Sequence, residues 1–149
     1  MQEAIASMTM LNKYAAEICK TYAVHACTDV TGFGFLGHLH EMLDGKLSAR
    51  IDSRHVPVMT EALHHADEFL LTAAGQRNRN YVKDFVQFQN VPFAMEEVLL
   101  DPQTSGGLLM AVAPEDADAL IAELQGAVPS VQRIGTVSEY TGGKRILLR

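Results

Sequence analysis

One segment constrains the fold of this chain more than any other: CTDVTGFGFLGH, residues 27–38. A short stretch, residues 24–30, enters a cluster of glycines, Gly32, Gly34 and Gly37, and leaves as a helical stripe of Phe35, Leu36, Leu39 and Leu43. That helix is expected to stop at Asp44-Gly45, where glycine can take the left-handed cap. On either side, helix-period and strand-period patterns are mixed. Ile5, Met8, Leu11, Ala15, Ile18 and Tyr22 recur at three- and four-residue steps, predicting one amphipathic helix whose stripe must pack on something. LSARI, residues 47–51, alternates and reads as a strand. Pro57 suits the first turn of a helix, and Val58, Leu63, Phe69, Leu70 and Ala74 predict one or two short helices ending at Gly75. GQRNRN, residues 75–80, is expected to be loop, YVKDFVQFQ a strand, and Pro92 the start of a helix through Leu99. DPQTSGG, residues 101–107, is turn-rich and leads into LLMAVA, an apolar run of strand length expected to be buried on both faces. Pro114-Glu115-Asp116 opens a helix with acids at its positive end, and Gly126 ends it. Closing strands are expected at 131–137 and 145–148. Strands and helices mix without strict βαβ alternation. The prediction is an α+β domain, a mixed β-sheet flanked by helices, occupying residues 1–149 as a single domain.

The composition limits what such a domain can do. Its 149 residues are 48% hydrophobic and 20% charged, the balance of an ordinary globular protein. A net charge of −6 argues against non-specific binding to nucleic acid or to an anionic membrane. No apolar run reaches the ~18 residues of a membrane helix. The N-terminus lacks the basic n-region of a secretory signal. The two cysteines, Cys19 and Cys27, are not spaced as CxxC and read as buried reduced thiols, in keeping with a cytoplasmic location. His38 and His40 are two apart on a helix and do not face one another, and no zinc spacing occurs among the histidines.

Two loops can carry chemistry. Gly32, Gly34 and Gly37 spell GxGxxG, and Asp52 follows Gly32 by 20 residues, so a dinucleotide fingerprint is one reading. Asp29 weighs against it, because a carboxylate there repels a bare pyrophosphate. A second reading turns that carboxylate to use. Backbone N–H groups at a glycine-rich helix start attract an anion, and Mg²⁺ takes one or two carboxylates together with phosphate oxygens. Asp29 is then a metal ligand, and the Thr28 and Thr31 hydroxyls add hydrogen bonds. A third reading is structural: Thr28 or Asp29 caps the helix and the glycines allow close packing. The second loop supplies Asp101, Gln103, Thr104, Ser105, Gly106 and Gly107, either as a tight turn or as an anion-facing nest.

Taken together, HACTDVTGFGFLGHLHEM and DPQTSGGLLMAV closely resemble the C-terminal half of selenophosphate synthetase (selenide, water dikinase). LNKYAAEICK resembles that family's opening helix. GQRNRN resembles its glycine-and-asparagine loop, ending in Arg79-Asn80, without the double glycine often seen there. The resemblance covers essentially the whole chain. It implies a C-terminal domain of the aminoimidazole-ribonucleotide synthetase (PurM-like) superfamily, partly ferredoxin-like, that closes a nucleotide cleft against an N-terminal domain. For the intact protein it implies ATP, Mg²⁺, selenide and water as reactants and cofactor, with selenophosphate, AMP and phosphate as products. Motif matching implies Asp29 as a metal- and phosphate-side carboxylate, with Thr28, Thr31, Gly32 and Gly34 as its loop neighbours. The role of the second loop stays open. The family's reactive Cys or selenocysteine and its lysine belong to an N-terminal part. Neither Cys19 nor Cys27 matches that nucleophile, so no catalytic residue is expected here and the separate chain is expected to be inactive. The implied partners are the protein's own N-terminal domain and, at full length, a second copy, with no nucleic acid or membrane. The alternatives are a domain of another ATP-using enzyme of the superfamily and a non-catalytic dimerisation or interaction module.

Overall fold

The computed structural model describes residues 2–149. Its elements run α1 (Gln2–Thr9), α2 (Lys13–Cys19), β1 (Val24–Asp29), α3 (Gly34–Met42), β2 (Leu47–Ile51), a 3₁₀ turn (Ser53–His55), α4 (Thr60–Asp67), α5 (Ala73–Val82), β3 (Val86–Phe88), α6 (Phe93–Leu100), β4 (Leu108–Val112), α7 (Ala117–Leu124), β5 (Gly135–Glu139) and β6 (Ile146–Leu148). The architecture is α+β, as expected. A four-stranded sheet has the order β3-β6-β2-β5, with β6 parallel to both β3 and β2 and β5 antiparallel to β2. β1 and β4 form a separate antiparallel ribbon.

Each sheet builds its own core. Ala49, Ile51, Val86, Ile146 and Leu148 line one face of the larger sheet, in one buried cluster with Leu36, Leu39 and Leu43, Val82 of α5, and Leu99 and Leu100 of α6. Each fully buried leucine contributes about 1.5–3 kcal/mol relative to exposure. Arg50, Thr136 and Ser138 stand exposed on the opposite face, the usual division for a sheet covered on one side. The ribbon packs on α2 and α7 through Ala15, Cys19, Leu120 and Leu124, with Val24, Leu108, Met110 and Val112 against them. Between the two bodies runs an apolar groove of about 1380 Å³, lined among others by Leu11, Val30, Met42, Leu47, Val56 and Val137. Among the described residues no helix is long and apolar enough to cross a membrane.

Several sequence expectations need correcting. The N-terminal stripe makes two helices, and α1 buries nothing: Ile5 is 52% and Met8 42% exposed. The break falls where Asn12 sends its side chain away to the Gly106 carbonyl, at 2.9 Å, instead of capping α2. GQRNRN is helix, not loop. Thr72 caps α5 by accepting from the Gly75 N–H, and Gly75, Asn78 and Val82 form its buried stripe. Gln76 and Arg79 reach across to the buried Glu97 carboxylate at 2.7 and 2.6 Å, which holds the polar helix onto α6. Of YVKDFVQFQ only residues 86–88 are strand, and the first closing strand falls at 135–139 rather than 131–137. β4 is buried at Leu109 alone, because a ribbon of two strands has too little cover to bury both faces. Cys19 is buried as expected, but Cys27 is exposed.

Candidate functional site

The ribbon register decides where the two polar loops go. β1 and β4 run antiparallel with Asp29 opposite Leu108, so the chain leaves β1 where it enters β4. The loops therefore meet at one end of the ribbon. Backbone bonds join them there: Val30 N–H donates to the Gly107 carbonyl and Gln103 N–H to the Thr31 carbonyl, each at 3.0 Å.

A single buried side chain clamps this junction. Asn78 of α5 is 6% exposed, and its amide nitrogen donates to the Gly32 carbonyl at 3.0 Å and to the Leu100 carbonyl at 2.9 Å. Leu100 ends α6 just before the second loop, so one amide ties both loops together. Gly34 follows Gly32 with φ of +67° and lies so near α6 that an added Cβ would sit 2.7 Å from the Leu100 oxygen. Gly106 is tighter still, with an added Cβ 2.0 Å from the Val30 oxygen. Glycine at these two positions is a packing requirement.

The candidate residues of the first loop differ in how they are held. Asp29 is exposed at the end of β1, and among the described residues its carboxylate has no hydrogen-bond or ion-pair partner. The Thr28 hydroxyl turns to the Asp29 carbonyl at 3.2 Å. Thr31 Oγ1 shares a hydrogen bond of 3.0 Å with His38 Nε2, and His38 Nδ1 lies 3.2 Å from the Glu41 carboxylate. This chain of polar contacts fixes the loop on α3. Gly32 faces open space. No side chain caps α3, whose N-cap residue is Phe33, so the reading of Thr28 or Asp29 as a helix cap is overturned. The close-packing reading holds for Gly34.

In the second loop Asp101 accepts from the Thr72 hydroxyl at 2.6 Å. The Gln103 side chain folds back onto the Asp101 carbonyl at 3.2 Å. Gln103, Thr104, Ser105 and Gly107 are exposed. Ser105 takes a left-handed φ of 53°.

The dinucleotide reading fails on two counts. β1 belongs to an antiparallel ribbon and not to a parallel βαβ unit. Asp52 is also committed, with Arg54 Nε at 2.9 Å and Nη2 at 2.6 Å, hydrogen bonds that hold its carboxyl well below the usual carboxylate range. The histidines do not converge on a metal. His40 stacks on Phe85 with ring centroids 4.0 Å apart, and burial pushes its pKa down. Among the described residues no group of three His, Cys, Asp or Glu could hold an ion unaided. One open carboxylate beside a glycine turn does fit Mg²⁺ that draws its other ligands from phosphate and from elsewhere in a larger protein.

Sequence reasoning missed Asn78 and Thr72. The available signal was the spacing of Gly75, Asn78 and Val82 at i, i+3 and i+7, a helical stripe hidden by a glycine and an amide. Asn80, which ends the GQRNRN stretch and whose role the sequence left open, is exposed.

Comparison with known proteins adds the family context. Residues 1–147 match the family described as AIR synthase related protein, C-terminal domain. A protein from Agathobacter rectalis named selenide, water dikinase is 58% identical over 136 residues, which is 91% of this chain and 40% of that protein. Proteins of the same name from Desulfitobacterium hafniense and Treponema denticola are each 45% identical, over 92% and 81% of this chain and 40% and 34% of their own lengths. The chain thus spans about two fifths of the length of these relatives.

Proposed function

The chain belongs to the AIR synthase related protein C-terminal domain family, and from that premise we propose that it is the cleft-closing domain of a selenide, water dikinase. The observation that carries this reading is the junction itself. Two loops far apart in sequence are locked together by Asn78, and among the described residues they leave one carboxylate, Asp29, uncommitted at their edge. In the intact enzyme Asp29 would hold Mg²⁺, which would supply neutralisation of phosphate charge. Thr28, Thr31, Gly32 and Gly34 shape the loop that presents Asp29, and the space that a Cβ at Gly32 would fill is left open for the phosphates. The second loop, from Asp101 to Gly107, acts as the brace behind it. The nucleophile and its lysine belong to the protein's N-terminal domain, and residues 1–149 act as one C-terminal domain of a cytoplasmic homodimer. Two features support a partner domain: the exposed apolar residues of α1 and the apolar groove beside the ribbon.

The test is Asp29→Asn in the full-length protein. Selenide-dependent ATP turnover is expected to fall about a hundredfold, the scale of losing one transition-state charge partner, while the melting temperature stays put. An unchanged rate removes Asp29 from the metal role. The 149-residue chain by itself is expected to show no selenide-dependent ATP hydrolysis, and turnover by it alone sinks the two-domain reading. The exposed α1 and groove also suit a non-catalytic interaction module. A monomer in gel filtration whose melting temperature ignores Mg-ATP favours that second reading.

A further inference from the structure

The fold brings three sulfur-bearing side chains together where α2 lies against the ribbon, and the phosphate-side loops use none of them. Cys19, the last residue of α2, is buried, and its thiol donates to the Met110 sulfur at 2.9 Å. Met110 of β4 is paired directly with Cys27 of β1. Directly opposed residues of an antiparallel pair share a face, with Cβ atoms about 4.5–5.5 Å apart. Burial, and then the charge of Cys27, push the Cys19 thiol up. Cys27 is exposed and Met110 half-buried, which gives the group a solvent entrance.

Two thiols and a thioether form a soft donor set. Such ligands select Cu(I)-like ions, whereas Mg²⁺ demands oxygen and structural zinc four ligands. The geometry points to a binding site for one soft monovalent cation of the Cu(I) or Ag(I) class, held by Cys19 Sγ, Met110 Sδ and Cys27 Sγ. Binding forms two metal–thiolate bonds and one metal–thioether bond. It releases the two thiol protons to solvent, and no electron is transferred. The ion would tie α2 to β1 two residues before Asp29.

The test is a titration of the reduced 149-residue chain with Ag(I), and anaerobically with Cu(I) against a coloured Cu(I) chelator. One ion per chain is expected, with a near-ultraviolet thiolate-to-metal band for Cu(I). Cys27→Ser, at an exposed position, should abolish stoichiometric uptake. Met110→Leu keeps the core volume and should weaken binding by at least the ~10-fold that loss of even an outer partner costs a metal site. These two variants carry the test, since Cys19→Ser also disturbs the core. Two independent ions per chain, an affinity unchanged in Met110→Leu, or a Cys19–Cys27 disulfide whose reduction restores no ion uptake would each overturn the site.

Discussion

Residues 30–33, Val-Thr-Gly-Phe, and residues 101–107, Asp-Pro-Gln-Thr-Ser-Gly-Gly, meet at the same end of the β1–β4 ribbon. Their polar groups are committed differently. In the second loop Asp101 is bound by Thr72, Gln103 by the Thr31 carbonyl and by Asp101, and Gly106 is pressed on the Val30 carbonyl while its own oxygen accepts from Asn12. Beside the first loop the Asp29 carboxylate is unheld among the described residues, although the Gly32 carbonyl is taken by Asn78. On the proposed reading, the loop anchored through Asp101, Gln103 and Gly106 is the brace, and the one beside the free carboxylate presents the chemistry. On that reading two loops of different composition divide the labour of one site.

The division can be broken from the brace side first. Gly106→Ala should be the most damaging single change, costing about 3 kcal/mol or more in chemical denaturation, because its Cβ meets backbone that cannot move aside. A variant as stable as the parent would mean the two loops are not packed as described. Asn78→Ala comes next. It strands the Gly32 and Leu100 carbonyls, and about 2–3 kcal/mol of stability should go with them. Hydrogen exchange would sharpen this, with protection lost in both loops at once. Thr72→Val removes the α5 cap and the Asp101 contact together, for about 1 kcal/mol. Asp29→Asn should change stability by no more than about 0.5 kcal/mol, as for a surface residue without partners. A large loss of stability in Asp29→Asn would erase the contrast between the loops.

Much of the fold was legible because it rests on local pattern. The alternation in residues 47–51, the stripe of Phe35, Leu36 and Leu39, and the stripe of Leu120 and Leu124 each place an element with little regard to its neighbours. The candidate loops were legible too, since glycine and small polar residues mark turns whatever surrounds them. What stayed hidden depends on partners distant in sequence. Asn12 ends one helix because it reaches Gly106, 94 residues away. The polar run after Gly75 is a helix because Gln76 and Arg79 find Glu97 and because Asn78 finds two carbonyls. None of these leaves a periodic apolar trace, so the pattern reads as loop.

The sequence by itself determined the α+β class, the strand-turn-helix around Gly32, Gly34 and Gly37, and the candidate residues from which the proposed phosphate and metal site is drawn. Side-chain type and spacing carry that information directly. Only the tertiary structure decided that the two loops are neighbours and that Asn78 clamps them. It also decided that, among the described residues, Asp29 stands free while Asp101 does not. Commitment of a polar atom is a property of a pair, and the second member of each pair is supplied by the fold.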